Sequence, residues 1–525
     1  MNRNSEKKIV IIGAGVAGLS AGIYARKLGY QAEIYEKNAV PGGECTGWDR
    51  NGYHIDNCIH WLIGTTKGSN LNDLYHETRI LDDKIGVTRA DIMYTSKIGD
   101  KSISLYGDLE KFRQELLAIS PEDKEPIEKL IAMTKLGEDI TIPAGHPGEQ
   151  MGAIEGTTLL FKCRHLFKLQ GMCKGMDNKD LADQFHSPLI KAMLSDFCPK
   201  ESGASSFPMS YGNFVSGDGG VPKGGSRAVA YRMKARFEEL GGIYHGNSPV
   251  STILISGDKA TGIKLEDGTA LSADYIIPAC DAGFTFTHLL DKSYMDPMMR
   301  DYFEKPDVFP IYGMFQAAWA VDSPIDALKH GFNLDFPEYH DDEGKMNDRI
   351  TLNTYGYEPT FAPEGKQIIQ VLWGMNNNWE YWEELGKDKE AYRRKKQEMA
   401  DAVQKKIERT WPEYKGKLTL LDTWTPCTYD RYCNAWRGYN QACIISKHCT
   451  KRIPYPSAYI KGLKNVVLAG QWVSPPGGIP GSAITGKFAA YRIDYLEHKK
   501  WRICKKILLQ NVLPTALVIL LILLL

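Results

Sequence analysis

The spacing of apolar residues predicts a chain that alternates short buried strands with amphipathic helices. Lys8 to Ile12 (KIVII) is a short apolar run suited to a buried parallel strand. A helical stretch from Leu19 to Leu28 follows it, and then a second strand-like run, Ala32 to Tyr35. The same grammar returns in the middle of the chain. Ala228 to Leu240 has helical periodicity and is ended by Gly241-Gly242, after which Ile243-Tyr244 and Val250 to Ile255 read as strands. Gly262 to Leu265 and Ala270 to Leu271 flank Asp267-Gly268, a hairpin turn, and Tyr275 to Ile277 reads as a buried strand. Near the C-terminus an apolar run enters Gly470, a Gly/Pro-rich loop follows, and a helix is expected from about Ala483.

These segments predict an α/β fold in which a Rossmann-like dinucleotide domain is interleaved with an α+β substrate domain. The first is assigned residues 1–85, 205–288 and 455–498, and the second residues 86–204 and 289–454. Helical patterns at Leu109 to Ile119, Pro121 to Gly137 and Leu181 to Leu194 dominate the first substrate piece. The second is rich in aromatics, among them Phe315, Trp319, Trp373, Trp382 and Trp424; some should line an apolar pocket and most should be core.

Two apolar segments stand apart. The stretch from Met151 to Met172 has Lys162, Arg164, His165, Lys168 and Lys174 in and around it. It fits either a helix lying on a membrane surface or a core helix with a solvated basic face. Residues 499–525 form a basic flank and a hydrophobic tail, with Lys499, Lys500, Arg502, Lys505 and Lys506 ahead of Ile507 to Leu525. Such a tail, if helical, spans about 28 Å, close to the hydrocarbon thickness of a bilayer, although its uninterrupted part begins only at Thr515. Membrane attachment is expected, by a tail anchor with its basic flank on the cytoplasmic face or by a segment dipping into one leaflet. A soluble core helix is the alternative.

Candidate chemistry begins at Gly13-Ala14-Gly15-Val16-Ala17-Gly18, with a strand before it, a helix after it and Glu36 closing the second strand. Gly13 permits the tight turn, Gly15 lets the backbone approach a pyrophosphate, and Gly18 lets the helix pack on the strand. The helix N-terminus supplies amide donors and a positive dipole. Glu36 suits ribose hydroxyls and would repel a 2′-phosphate, which favours FAD or NAD over NADP. Gly42-Gly43 permits a backbone turn too close to a ligand for any side chain. No second Gly-x-Gly-x-x-Gly occurs, so no dedicated nicotinamide domain is visible. Reducing equivalents are expected to enter or leave by the same pocket, or to pass to a quinone, oxygen or a partner, with NAD(P)H or a quinone as the redox partner.

Four blocks together carry a family resemblance. They are the N-terminal fingerprint with Pro41-Gly42-Gly43 and His60-Trp61, Gly219 to Ser226, Ile276 to Asp281, and Gly462 to Ala483. From residue 7 to about 495 the chain resembles the flavin-dependent carotenoid (phytoene) desaturase and retinol saturase family, within the amine-oxidase-like flavoproteins. The resemblance implies a non-covalent FAD held by Gly13, Gly15, Val16, Ala17, Gly18, Glu36 and Lys37, then Gly42, Gly43 and Val250. Gly470, Gln471, Gly478, Ile479, Pro480 and Ala483 complete the set. It further implies a long, apolar, polyunsaturated substrate handled at a C–C bond, with His60 and Trp61 beside the flavin as the catalytic candidates. Where many desaturases carry Gly-Gly-Arg, this chain has Gly42-Gly43-Glu44, which reverses the local charge. A flavin amine oxidase and a non-enzymatic lipid-binding escort on the same fold are the alternatives.

Composition narrows the rest. Basic and acidic residues balance, 64 against 64, so no global field points to nucleic acid. The eleven cysteines, with a polar and basic stretch rather than a secretory signal ahead of the first strand, fit reduced thiols in a cytoplasmic setting. Cys427, Cys433, Cys443 and Cys449 cluster without a Cys-x-x-Cys, so small buried residues near a pocket wall fit better than metal ligands. No metal is expected.

Overall fold

The computed structural model describes residues 6–323, 330–337, 339, 346–376 and 378–509, the last eleven in backbone only. Its organising element is a parallel sheet in the order Tyr275–Pro278, Lys8–Ile12, Gln31–Tyr35, Ile243–His245, with Val466 bridged in parallel to Ile276 at the outer side. The first strand is apolar at consecutive positions because both of its faces are covered. Ile9 and Ile11 pack on one side with the helix Val16–Lys27 and the long helix Gly478–Leu509. Val10 and Ile12 pack on the other, against the antiparallel meander Val250–Ser256, Lys259–Leu265, Ala270–Ser272. The two helices cross closely at Gly486, where a Cβ would lie 2.2 Å from the Ala17 carbonyl oxygen.

The second body is built on a seven-stranded sheet. Its order is Leu418–Trp424, Tyr312–Val321, Gln367–Asn376, Arg349–Thr354, Gly331–Asp335, Ile92–Ile98, Lys101–Tyr106. All its pairings are antiparallel except Gly331–Asp335 with Ile92–Ile98. A helical cluster covers one end, with Leu109–Ile119, Lys124–Gly137, Pro188–Phe197 and Ser206–Val215 around Phe112, Leu130, Phe207 and Tyr211.

Several expectations shift here. The helix expected over Leu181 to Leu194 is two pieces, Asn178–Ala182 and Pro188–Phe197, because Pro188 can begin a helix but not continue one. Ser206–Val215, grouped by sequence with the dinucleotide part, packs instead on Lys124–Gly137, where Gly137 and Gly212 let the two backbones touch. The C-terminal helix starts at Gly478, five residues before the expected Ala483. Among the described residues no helix is long and apolar enough to cross a membrane. Most of the expected hydrophobic tail, residues 510–525, lies outside the described residues.

Candidate functional site

The carboxyl ends of the parallel strands open onto one cavity of about 360 Å3, the position where open α/β sheets bind ligands. Ile12 and Gly13, Tyr35 and Glu36, and Ala279 to Asp281 come from three adjacent strand ends. The opposite wall belongs to the seven-stranded sheet and its connections, through Met314, Gln316, Leu372 and Tyr429. The cavity therefore lies between the two bodies.

Its dinucleotide side is a cradle of backbone. Gly13 and Gly42 take φ of +98° and +120°, which side-chain-bearing residues rarely adopt. A Cβ at Gly42 would also sit 2.3 Å from the Cys45 carbonyl oxygen. Gly15 and Gly470 present open backbone to the cavity, with no atom closer than 3.9 Å to an added Cβ at Gly15 and none within 4 Å at Gly470. Two helix N-termini converge there. Val16 and Ala17 begin one and Gly478 and Ile479 the other, and neither first turn holds an acidic residue. The first-turn amides have no intrahelical partner, so they offer donors and positive dipole to an anion.

Glu36 is 5% exposed and its carboxylate organises the loop. It accepts from the Ala14 amide (2.8 Å), the Asn38 amide (2.9 Å) and Asn38 Nδ2 (3.0 Å). Lys37 turns its ammonium to the Arg431 carbonyl (2.9 Å) and to Asn434. Glu36, Lys37, Asn38 and Asn434, with Gly43, Val250 and Gln471, line the cavity. Gly18, Pro480 and Ala483 do not. Gly18 serves packing, since a Cβ there would lie 1.9 Å from the Gly13 carbonyl oxygen. Ala483 is fully buried and its carbonyl accepts from Ser20 Oγ at 2.7 Å.

The two catalytic candidates part company. His60 lines the cavity with Tyr355 Oη 3.4 Å from its Nδ1, and burial pushes its imidazole down to about 4, so it is neutral at pH 7. Trp61 does not reach the cavity. Leu62 exchanges backbone hydrogen bonds with Gly220 (2.8 and 3.0 Å), and this pairing lays the Trp61 ring over Gly219 and against Phe214. It is a packing residue.

The opposite wall carries a polar chain that sequence reasoning missed. Gln316 Nε2 donates to Tyr429 Oη (2.6 Å), Tyr429 Oη donates to Asn57 Oδ1 (3.0 Å), and Asn57 Nδ2 donates to the Glu44 carbonyl (2.9 Å). Glu44 itself faces the cavity, and its carboxyl has no hydrogen-bond partner among the described residues. Burial, with Cys58 and Asp281 nearby, pushes it well above the usual carboxylate range. Asp281 accepts from Trp472 Nε1 (2.6 Å) and the Phe284 amide (3.1 Å), yet burial pushes it up to about 6. Two of these had a sequence signal: Asp281 as the end of a strand, and Glu44 as the acid after Gly42-Gly43. The four clustered cysteines disperse: Cys433 lines the cavity, Cys443 sits in the core, and Cys427 Sγ contacts the Trp382 carbonyl at 3.1 Å.

The backbone cradle, the paired helix N-termini and the buried acid at the second strand end fit the diphosphate and ribose of FAD. When bound, the flavin supplies hydride or single-electron transfer. Comparison with known proteins agrees. The family described as flavin containing amine oxidoreductase matches residues 16–494. The chain belongs to that family and is an FAD-dependent oxidoreductase.

Its relatives include 4,4'-diaponeurosporene oxygenase of Staphylococcus haemolyticus, 24% identical over 94% of this chain and 98% of that protein. The 4,4'-diapophytoene desaturase of Methylomonas is 23% identical over 90% and 92%. Prolycopene isomerase 2 of an Oncidium hybrid is 24% identical over 93% and 84%. Among solved structures, an oxidoreductase from Methanosarcina mazei superposes with a TM-score of 0.58 at 17% identity, over 91% of this chain and 98% of that one. Wild-type putrescine oxidase with putrescine bound gives 0.55 at 14% identity, over 93% and 99%. These structures share the fold.

Proposed function

We propose that this oxidoreductase inserts or removes a double bond in a long apolar polyene, with hydride passing to or from the flavin. The carrying observation is the division of the cavity. One wall is a glycine and helix-terminus cradle for the cofactor, and the other presents Met314 and Leu372 from the second sheet. Three relatives with carotenoid-handling names support the substrate class. On this reading the chain's residues position and exclude. Met314, Leu372 and Phe284 would contact hydrocarbon and keep water out. The Gln316–Tyr429–Asn57 chain would fix the edge of the site. His60, neutral at pH 7, would hydrogen-bond rather than place a charge beside the polyene.

Electrons would reach or leave the flavin through the same cavity, with NAD(P)H or a quinone as partner. The segment 507–525 would hold the protein at a membrane, where such substrates dissolve, with the basic flank on the cytoplasmic face. An amine substrate is the second reading, favoured by one observation: Glu36, Glu44, Glu266 and Asp281 outnumber Lys37 among the charged lining residues. Anaerobic spectroscopy of the purified flavoprotein separates them. Bleaching by a polyene supports a desaturase, and bleaching by NADH with recovery on a polyene supports a saturase. Bleaching by a diamine, with no response to polyenes, overturns the proposal.

A further inference from the structure

The helix pair Ala153–Lys162 and Arg164–Met172 is anomalous in how little it buries. No residue of the first is buried, and only Leu169 of the second. Yet Ile154 is 85% exposed and Phe161 69%, with Leu160 and Phe167 also in solvent. Of the nine large hydrophobic side chains exposed among the described residues, four fall in this one short stretch. An apolar helix pair kept out of the core across so short a distance calls for a partner.

Charge indicates which partner. Between Met151 and Lys174 the chain carries Lys162, Arg164, Lys168 and Lys174 against the single acid Glu155. All four cations are exposed, and the Arg164 guanidinium stacks on the exposed Phe161 ring with 4.7 Å to its centroid. Glu155 is paired at the surface with His146 Nδ1 at 3.0 Å. Asp139 meets Arg164 and His165 at the base of the pair, at 3.6 and 2.9 Å. The outward side thus mixes bulky apolar groups with Lys162, Lys168 and Lys174, none of which pairs with an acid among the described residues, the composition of a helix seated at the interface of an anionic bilayer.

The pair is also tied to the helix that continues toward the C-terminal tail. The connection ahead of it is strapped to Gly478–Leu509 by Lys487 Nζ on the Ala144 carbonyl (2.8 Å), Arg492 on Glu149 (2.7 Å) and Gln150 Nε2 on the Tyr491 carbonyl (3.3 Å). We propose that residues 153–172 form a membrane-docking surface for an anionic lipid bilayer, with Ile154, Leu160, Phe161 and Phe167 inserted among the acyl chains and Lys162, Arg164 and Lys168 at the headgroups. This surface is distinct from the tail and does not depend on it.

The test uses the full chain with p-benzoylphenylalanine in place of Phe161, irradiated with vesicles of phosphatidylcholine containing phosphatidylglycerol. A lipid adduct at position 161 is expected. Paired Lys162→Glu and Lys168→Glu replacements should lower its yield more than ten-fold, as about five-fold for each lysine near a charged surface implies. Pure phosphatidylcholine should give a similar drop. A cross-link from 161 to a second copy, or to residues 510–525 of the same chain, overturns the proposal, as does protein that sediments with vesicles but forms no adduct at 161. In that last case the tail reading survives. Alkaline carbonate extraction then reports on the tail alone, since a lipid adduct at 161 with an extractable chain supports the surface and overturns the anchor.

Discussion

Asp56 and Ser226, 170 positions apart, are joined by two hydrogen bonds, from the Ser226 amide at 2.6 Å and from its Oγ at 2.5 Å. The same carboxylate meets the Cys58 and Ile59 amides at 3.3 Å, so it locks the turn carrying Asn57, Cys58 and His60 to the start of the helix Gly225–Glu239. Gly225 is obligatory beside it, because a Cβ there would lie 2.1 Å from Asp56 Oδ2.

Asp56→Ala should therefore destabilise the protein by about 2–4 kcal/mol, since it leaves several buried donors without partners. Denaturant unfolding measures the loss. Flavin content should fall with it, because the 57–60 turn forms one wall of the cavity. Unchanged stability would remove Asp56 as the organising group.

Much of this site was legible because its signals are local. Gly13, Gly15 and Gly18 lie within six positions, and Glu36 ends the next strand, so a strand-turn-helix pattern exposes them together. The far wall had no comparable signal. Tyr312–Val321 is a central strand buried on both faces, so its sequence YGMFQAAWAV shows no alternation to separate cavity from core. Nothing local marks Gln316 as the partner of Tyr429, 113 positions on. Trp61 misled for a related reason. Its neighbour His60 does face the cavity, but the Leu62–Gly220 pairing that turns Trp61 away comes from a distant segment.

Two positive-φ glycines of the cradle, Gly42 and Gly470, should respond differently to alanine. Gly42→Ala meets both an unfavourable φ and the Cys45 carbonyl at 2.3 Å, so the turn must move and FAD loading should be lost. Gly470→Ala meets only the φ of +122°, with open space around the new methyl. It should load FAD with affinity reduced about ten-fold or more, consistent with a few kcal/mol of backbone strain shared between folding and binding. Flavin content after purification and FAD titration of apoprotein distinguish the two.

Glu36 is predicted to act first on the loop and only then on the cofactor. Glu36→Ala removes the acceptor for the Ala14 and Asn38 amides. FAD affinity should fall by about a hundred-fold, with about 2–3 kcal/mol expected from one buried and one half-buried donor left unpaired. Glu36→Gln keeps one carbonyl acceptor and should recover part of it. Equal losses in both variants would show that charge, rather than loop geometry, governs the position.

The acid-rich lining makes FAD binding depend on pH in a defined direction. Asp281 titrates at about 6, raised by burial, and Glu44 is also raised well above the carboxylate range. Because the folded-state value of Asp281 exceeds its unfolded one, the folded protein binds the extra proton between about pH 4 and 6. The favourable contribution is full below that window and lost as pH rises through it. Deprotonation also places negative charge beside an anionic cofactor, at a strand end where an added Gly13 Cβ would be 3.3 Å from the Cys280 amide nitrogen. FAD affinity should accordingly weaken from pH 5 to pH 8. Asp281→Asn should flatten that decline and raise affinity at pH 8, while a Glu44→Gln change added to it should remove what dependence is left. Isothermal titration of apoprotein with FAD across this range provides the check, and an affinity that rises with pH in the unmodified protein would reverse the sign and exclude these two carboxyls as its source.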